Sequence, residues 1–413
     1  MDMSLHKSFE PQLTQSGFRF EALEHPSVDR ILSTVRKHLG TEIAFVSRYV
    51  ENEEKELTHV SSDLELPMGP GFRDPRENSY CWHILEGRLP ELIQDPADHP
   101  FAQTIPITDF LPVGCHLNTP LRLSDGTVYG SFCCLSRQPD RSMTERDLQI
   151  VRSFAELAAA QIERTLESDE RHGLLTRRIG KLLEGRHVDI VQQPIVSLKD
   201  ARPVGLECLA RFPDARRRGP DRWFAEAEEV GLGSELEVLA IANAIESAAA
   251  LPEGTYISVN VSPQTALTSD LWDALAPIEP GRIVLEITEH EQVADFVALK
   301  EALGRLRPRM RIAIDDVGSG YAGLRHLVDL APDLLKLDIS LTRDVHRDIA
   351  RRALITAMVH FAGEIGAKLV AEGIECREEH ETLAELGVDF GQGYYFAKPM
   401  PPAEALAFVR GRV

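Results

Sequence analysis

Acidic residues recur in the second half of this chain at the carboxyl ends of apolar runs: Glu207 follows VGL, Glu286 follows IVL, Asp315 and Asp316 follow RIAI, and Glu372 follows LVA. Asn260 follows ISV, Lys336 follows DLL, and Gln392 sits in a last strand-like run, VDFGQGYYF. An acid in a buried strand is costly and rare. One alone would be a helix cap or a satisfied surface carboxylate, but successive acid-bearing strand ends plus an asparagine ask for a shared site. Converging Glu, Asp and Asn without His make an oxygen-donor site, which selects Mg²⁺ or Mn²⁺ over zinc. The adjacent Asp315 and Asp316 can turn one carboxylate to each of two ions. Two ions about 3.5–4 Å apart are the usual device for cutting a phosphodiester. Arg211, four residues after Glu207, can face a phosphate bidentately or form a rim salt bridge. Lys336 can orient or deprotonate an attacking water, or simply balance charge. Glu289 can hold the loop DVGSGYAGL through its backbone amides or serve as the first-turn acid of the next helix. Gly318 and Gly320 make that loop permissive.

These positions require a scaffold that gathers strand ends. The strand-like segments are HVDIVQQPIVSL, RPVGLECLARF, TYISVNVS, RIVLEITE, RMRIAIDD, DLLKLDI, AKLVAEGI and VDFGQGYYF. Helical segments separate all but one pair: WFAEAEEVGLGSELEVLAIANAIESAAAL, PQTALTSDLWDAL, QVADFVALKEALGRL, YAGLRHLVD, ARRALITAMVHFAGEI and REEHETLAEL. This alternation predicts a closed (β/α)8 TIM-like barrel, in which strand ends converge on one face; an open doubly wound sheet is the structural runner-up. Only SLKDA separates the first two strands, too short for a helical crossover, so the first strand is expected to run antiparallel to the second.

The first half mixes strands (EIAFVSRYV, VYGSFCCLS, and LPVGCHLNTPLRL with its interrupting Pro120) with the helical HPSVDRILSTVRKHL, an α+β pattern. From Thr144 to Leu183 helical spacing prevails, opened by a T-E-R-D capping arrangement in which Asp147 replaces the usual Glu. That stretch reads as a C-terminal helix plus linker, or as a helix that pairs with its copy in a dimer; Gly173 is a possible break. The expected division is an α+β domain at 1–165, a helical linker at 166–185 and the barrel at 186–413.

Composition sets the outer bounds. The 413 residues carry 45 Lys+Arg against 65 Asp+Glu, a net charge of −20, which argues against duplex nucleic acid or an anionic membrane as partner. An anionic substrate remains compatible if cations neutralise its site. The N-terminus has no apolar signal core, and no apolar run approaches the ~18 residues of a membrane span. The six cysteines form no CxxC pair and read as reduced thiols of a cytoplasmic protein. Cys81, His83 and Cys115 suggest haem or metal, though dispersed Cys and His are more often core residues.

In order, the second half carries Glu207-Cys208-Leu209-Ala210-Arg211, QPIV from Gln193, VNVS from Val259, EITE from Glu286, DDVGSGY from Asp315, KLD from Lys336, AEGIE from Ala371 and QGYYF from Gln392. It resembles the EAL-domain family of cyclic di-GMP phosphodiesterases over about residues 170–413. The resemblance implies that Glu207, Asn260, Glu286, Asp315, Asp316 and Glu372 hold two divalent cations, Mg²⁺ or Mn²⁺. It implies Lys336 as general-base candidate, Gln392 at the metal-bound solvent or substrate, and Gln193 and Arg211 on substrate. Glu289 would steady the loop beginning at Asp316, which couples metal binding to dimerisation in this family. Two departures stand out: Cys208 for the commonest Ala, expected to matter little, and Val317 for the usual Phe, expected to loosen the loop. The first half, with CWHILEGR from Cys81, LIQDPADHP from Leu92 and PLRLSDGTVYGSFCCLS from Pro120, looks like a GAF sensor domain of unknown ligand.

The implied function is metal-dependent hydrolysis of cyclic di-GMP to linear pGpG by a homodimer under GAF control. Alternatives are a weak or inactive cyclic di-GMP receptor and a barrel enzyme with another metal-dependent substrate. No GGDEF motif is present, so synthesis is not expected.

Overall fold

The computed structural model describes residues 27–213, 218–276, 278–288, 296–317 and 329–411. They form two compact units whose boundary in sequence falls between Glu170 and Arg171.

The first unit is a six-stranded sheet flanked by helices. Helix α1 (Val28–Leu39) precedes β1 (Ile43–Val50), β2 (Glu54–Ser62) and the short β3 (Arg73–Pro75). Then come α2 (Tyr80–Leu85), β4 (Leu92–Ile93), α3 (Ile107–Phe110), β5 (Cys115–Arg122) and β6 (Val128–Ser136). The strand order is β3-β2-β1-β6-β5-β4, antiparallel throughout. Strand alternation divides its side chains. Ala44, Val46, Leu117, Phe132 and Cys134 pack on one face against α1 and against Leu148, Val151, Phe154 and Ala158 of α4 (Glu145–Gly185). Pro120 is tolerated in β5 because β4 pairs only with His116 and Leu117, leaving its other edge open. The expected cap of α4 forms: Asp147 Oδ2 accepts from the Thr144 backbone N at 2.8 Å. The helix continues through Gly173 without a break.

The second unit is a closed barrel. Its strands are β7 (Asp189–Ser197), β8 (Pro203–Arg211), β9 (Tyr256–Val261), β10 (Ile283–Thr288), β11 (Arg311–Val317), β12 (Leu334–Leu337), β13 (Lys368–Ala371) and β14 (Phe390–Gly391). β7 runs antiparallel to both neighbours, β8 and β14, and every other pairing is parallel. The short β7–β8 connection therefore makes the antiparallel hairpin that its length requires. Crossovers are made by α5 (Pro220–Glu229) and α6 (Gly233–Ala248), α7 (Ser269–Leu275), α8 (Phe296–Leu306), α9 (Ile339–Thr342) and α10 (Ile349–Ile365), and α11 (Arg377–Leu386); α12 (Pro402–Val409) closes the described chain. The helix expected at YAGLRHLVD falls almost wholly outside the described residues. The last strand is shorter than the sequence suggests: regular pairing ends at Gly391, and Gln392 is the next residue. Between strands and helices lies the main core, including Leu206, Cys208, Val259, Leu285, Ile314 and Leu337.

Candidate active site

Inside the barrel the side chains stack in rings, because residues two apart on a strand share a face. One ring is apolar: Ile195, Tyr256, Val284, Ala313, Leu334 and Val370, with Phe390 against them. Gly205 takes the β8 position, where a Cβ would lie 2.4 Å from Cζ of the Tyr256 ring. Two residues along each strand (backwards on the reversed β7) every position turns polar: Gln193, Glu207, Ser258, Glu286, Asp315, Lys336, Glu372 and Gln392. This end of the barrel is the carboxyl end of its seven co-directional strands.

All eight belong to one bonded network. Lys336 Nζ lies 2.7 Å from Glu372 Oε1, 2.8 Å from Glu286 Oε2, 3.1 Å from Asp315 Oδ1 and 3.5 Å from Glu207 Oε1. Ser258 donates to Glu286. Gln392 Nε2 donates to Glu207 and, at 2.9 Å, to Gln193 Oε1, while Gln193 Nε2 donates to the Ala397 carbonyl at 3.1 Å. Lys336 and Glu286 are each only 1% exposed. Burial, reinforced by Glu207 and Asp315, pushes the Glu286 carboxyl well above its usual range against the pull of Lys336. Burial likewise raises Glu372 to about 7. For Lys336 burial pulls down, but the charges of Glu207, Glu286, Glu372 and Asp315 together hold the ammonium well above its ordinary value.

The paired aspartates show how local backbone serves the site. Consecutive strand residues should face opposite ways. The β11–β12 register shifts between Ile314 and Val317, and Asp316 adopts a left-handed φ of 57°. This irregularity re-aims a side chain. Carboxylate oxygens of Asp315, Asp316 and Glu372 come within 4.8 Å of one another. Gln392 is fixed by a comparable device: its N donates to Ala371 O at 2.9 Å, and a Cβ on Gly393 would lie 2.1 Å from Ile374 O.

These residues suit divalent cations. Five carboxylates confront one ammonium, leaving a formal charge of −4 if all ionise, in a place where uncompensated charge is expensive. The buried Gln392 Oε1 has no hydrogen-bond partner. The donors are oxygens, as hard cations prefer.

Two expected members stand apart from the ring. Asn260 lies two residues beyond Ser258, exposed at the mouth. Arg211 donates to its neighbour's carbonyl, Ala210 O, at 2.9 Å. Both line a cavity of about 520 Å³ bounded also by Phe224, Glu237 and Ser262. Glu289 and the loop residues Gly318 to Tyr321 lie outside the described residues. Sequence reasoning missed Ser258, which the offset of two from Tyr256 would have identified. It also missed Glu237, whose carboxylate accepts from Ser262 N at 2.9 Å and is pushed up by burial. The only signal for Glu237 was an acid inside the short apolar run LEVLAIA of α6.

In the first unit, the grouping of Cys81 with His83 and Cys115 does not form. His83 Nε2 bonds the Glu77 carbonyl at 2.8 Å, and Cys115 faces the helix-packed core. Cys81 instead meets His116 and Cys133.

The profile of the EAL domain matches residues 176–399. The chain belongs to the EAL domain family. Residues 25–162 match the GAF domain, giving a GAF–EAL order. Among curated relatives is a protein of Escherichia coli (strain K12) described as probable cyclic di-GMP phosphodiesterase PdeB, 33% identical over 244 residues, covering 55% of this chain and 46% of that protein. The chain thus spans less than half the length of that relative. Among solved structures, the PaMucR phosphodiesterase in complex with c-di-GMP is 27% identical, with a TM-score of 0.50, covering 56% of this chain and 100% of that one. An EAL domain protein from Listeria monocytogenes EGD-e is 25% identical, with a TM-score of 0.51, covering 58% of this chain and 98% of that one. No described helix of this GAF–EAL chain is long and apolar enough to cross a membrane.

Proposed function

We propose that the EAL barrel hydrolyses cyclic di-GMP to linear pGpG. The observation that carries this reading is the polar ring: one polar residue from every strand, four of them carboxylates gathered on Lys336. The PaMucR phosphodiesterase, described in complex with c-di-GMP, and the relative named as a probable cyclic di-GMP phosphodiesterase supply the substrate class.

Glu207, Asn260, Glu286, Asp315, Asp316 and Glu372 would hold two divalent cations, Mg²⁺ or Mn²⁺. Such cations supply Lewis acidity toward the scissile phosphate and an activated water. The protein's part is orientation and charge. Lys336, gathered against four carboxylates, would orient or deprotonate the attacking water beside the cations. Gln392, with its unbonded Oε1, directs an acceptor into the site. Gln193 orients Gln392 through their mutual hydrogen bond. Arg211 and Asn260 border a cavity of a size suited to a nucleotide base, with Phe224 as its aromatic wall.

The direct test incubates the purified chain with cyclic di-GMP and Mg²⁺ or Mn²⁺ and separates the products by chromatography. Formation of pGpG, lost on chelation, supports the reading. Tight binding without turnover would make the barrel a receptor. The GAF domain is proposed to set activity in a homodimer. Light scattering, and the same assay after removal of residues 1–165, test that part separately.

A further inference from the structure

The unclaimed chemistry of the molecule lies in the GAF domain. Cys81 on α2, His116 on β5 and Cys133 on β6 are all buried, and one ligand atom from each lies within 4.8 Å of the others. The two sulfurs are 3.1 Å apart. They meet because Asn118 pairs in register with Cys133, which brings His116, two residues earlier on β5, to the same face of the sheet. Cys115 and Cys134, each one residue away, point to the opposite face, into the helix-packed core. Two polar atoms at the cluster, Nδ1 of His116 and Nδ2 of Asn118, are buried without a hydrogen-bond partner. Such atoms are rare in a native interior and ask for an explanation. Beside Cys81 and His116 lies a cavity of about 40 Å³, bordered also by Lys55 and Tyr80, room enough for a water or another small ligand.

We propose that Cys81, His116 and Cys133 form a site for a thiophilic divalent transition-metal ion of the zinc class, with its fourth coordination position facing this cavity. Two cysteines and a histidine are the donors such ions select. The charges also close. Two thiolates neutralise one divalent ion, and the buried Lys55 is already paired with Asp74, Nζ to Oδ1 at 3.6 Å. The metallated site therefore adds no net charge to the interior, whereas an isolated pair of thiolates would be costly. Each thiol that is still protonated when the ion enters gives up one proton. Tetrahedral bonding at ~2.3 Å per Zn–S separates two sulfurs by about 3.8 Å, so Cys81 and Cys133, now 3.1 Å apart, must part by about 0.7 Å. Their hydrogen bond holds the Cys81 thiol well below its usual value while burial pushes Cys133 well above it, so Cys81 is the thiolate that meets the ion and Cys133 gives up its proton as the ion enters. This site is independent of the phosphodiesterase reading.

Cobalt(II) is the probe, because its charge-transfer band appears only with sulfur ligands and an all-oxygen site in the barrel cannot produce it. The full chain, reduced and stripped with chelator, is titrated with Co²⁺ and then with Zn²⁺. The expected result is one thiolate-bound cobalt per chain with tetrahedral d–d bands, bleached by zinc. The band should survive Glu207→Ala and also Cys376→Ser, which removes the one sulfur from a group of His346, Cys376 and Glu379 in the barrel. It should disappear in Cys81→Ser and Cys133→Ser, and shift in His116→Gln. Absence of the band in the reduced wild-type chain overturns the proposal whatever the variants do. So does its persistence in both cysteine variants. A Cys81–Cys133 disulfide formed on mild oxidation, in a chain that takes no cobalt when reduced, would also overturn it and make the pair a redox switch.

Discussion

The apolar and polar rings of the barrel are built from the same strands, two residues apart, yet they answer to different demands. In the apolar ring Tyr256 fills the space left by Gly205, and Val284, Leu334 and Val370 close around it. In the polar ring the carboxylates crowd together and are held by one lysine. Packing alone would never place four acids around one ammonium, since replacing such buried charges by apolar residues is often neutral or stabilising. The first ring is explained by folding and the second by what it binds. Substitutions in the two rings should therefore fail in different ways.

The largest contrast is between Glu207 and Leu334. Glu207→Ala is expected to reduce hydrolysis by at least about a thousandfold, near 4 kcal/mol of barrier, with the fold retained. Leu334→Ala should cost about 2–5 kcal/mol of stability while leaving turnover per folded molecule within a fewfold of wild type. Denaturant titration and product chromatography on both proteins check the pair. A folded Glu207→Ala protein with near-normal turnover would remove the polar ring from the chemistry.

Lys336 tests the charge argument. Lys336→Met removes the one cation from a buried set of carboxylates, an uncompensated loss expected to cost about 3–5 kcal/mol without divalent cations. Mg²⁺ or Mn²⁺ should then raise the melting temperature of the variant more than that of wild type. Equal shifts in both proteins would mean that the cations bind elsewhere. With cations present, kcat and kcat/KM should fall together, as expected for a group acting in the transition state. A rise in KM alone would make Lys336 a substrate contact.

Gly205→Ala probes the apolar ring by overfilling it. The added methyl meets the Tyr256 ring and should cost about 1–3 kcal/mol, read as a lower denaturant midpoint. Turnover by the folded fraction should change little, because the strain falls one ring below the carboxylates.

The sequence displays the polar ring so openly because parallel barrel strands are buried on both sides and read as apolar runs, against which a single Glu or Lys stands out. Six of its eight members were legible for that reason; Gln193, on the antiparallel β7, came only with the family resemblance. Ser258 escaped because serine is unremarked in a strand, and Asn260 further along β9 drew attention instead. β14 was legible in place but not in length, since Gly393 turns the chain against Ile374 just past the strand. In the GAF domain the strand β2, EKELTHVSS, was missed because its charged residues hide the alternation. The Cys81–His116–Cys133 cluster had no signature at all. The β5–β6 register brings His116 and Cys133 to one face, and α2, packed on β5, carries Cys81 to them from 35 and 52 positions earlier in the chain.

The smallest expected effect lies next to the largest. Cys208 follows Glu207 on β8 and therefore faces the helices instead of the ring. It is buried among Leu206, Val259 and other core residues. Its sulfur lies 3.7 Å from Gln192 Nε2, a weak contact that the amide can lose because it also donates to Ser247 Oγ at 3.0 Å. Burial pushes the thiol up to about 12, so it stays protonated and unreactive at neutral pH. Cys208→Ala should thus cost only about 1 kcal/mol and leave hydrolysis unchanged. If it instead lowered turnover as steeply as Glu207→Ala, the alternation of faces along β8 would not separate packing from chemistry. Unchanged turnover beside the collapse at Glu207 would confine the chemistry to the ring face of the strand and show that the cavity Cys208 lines with Arg211 and Asn260 does not need its sulfur.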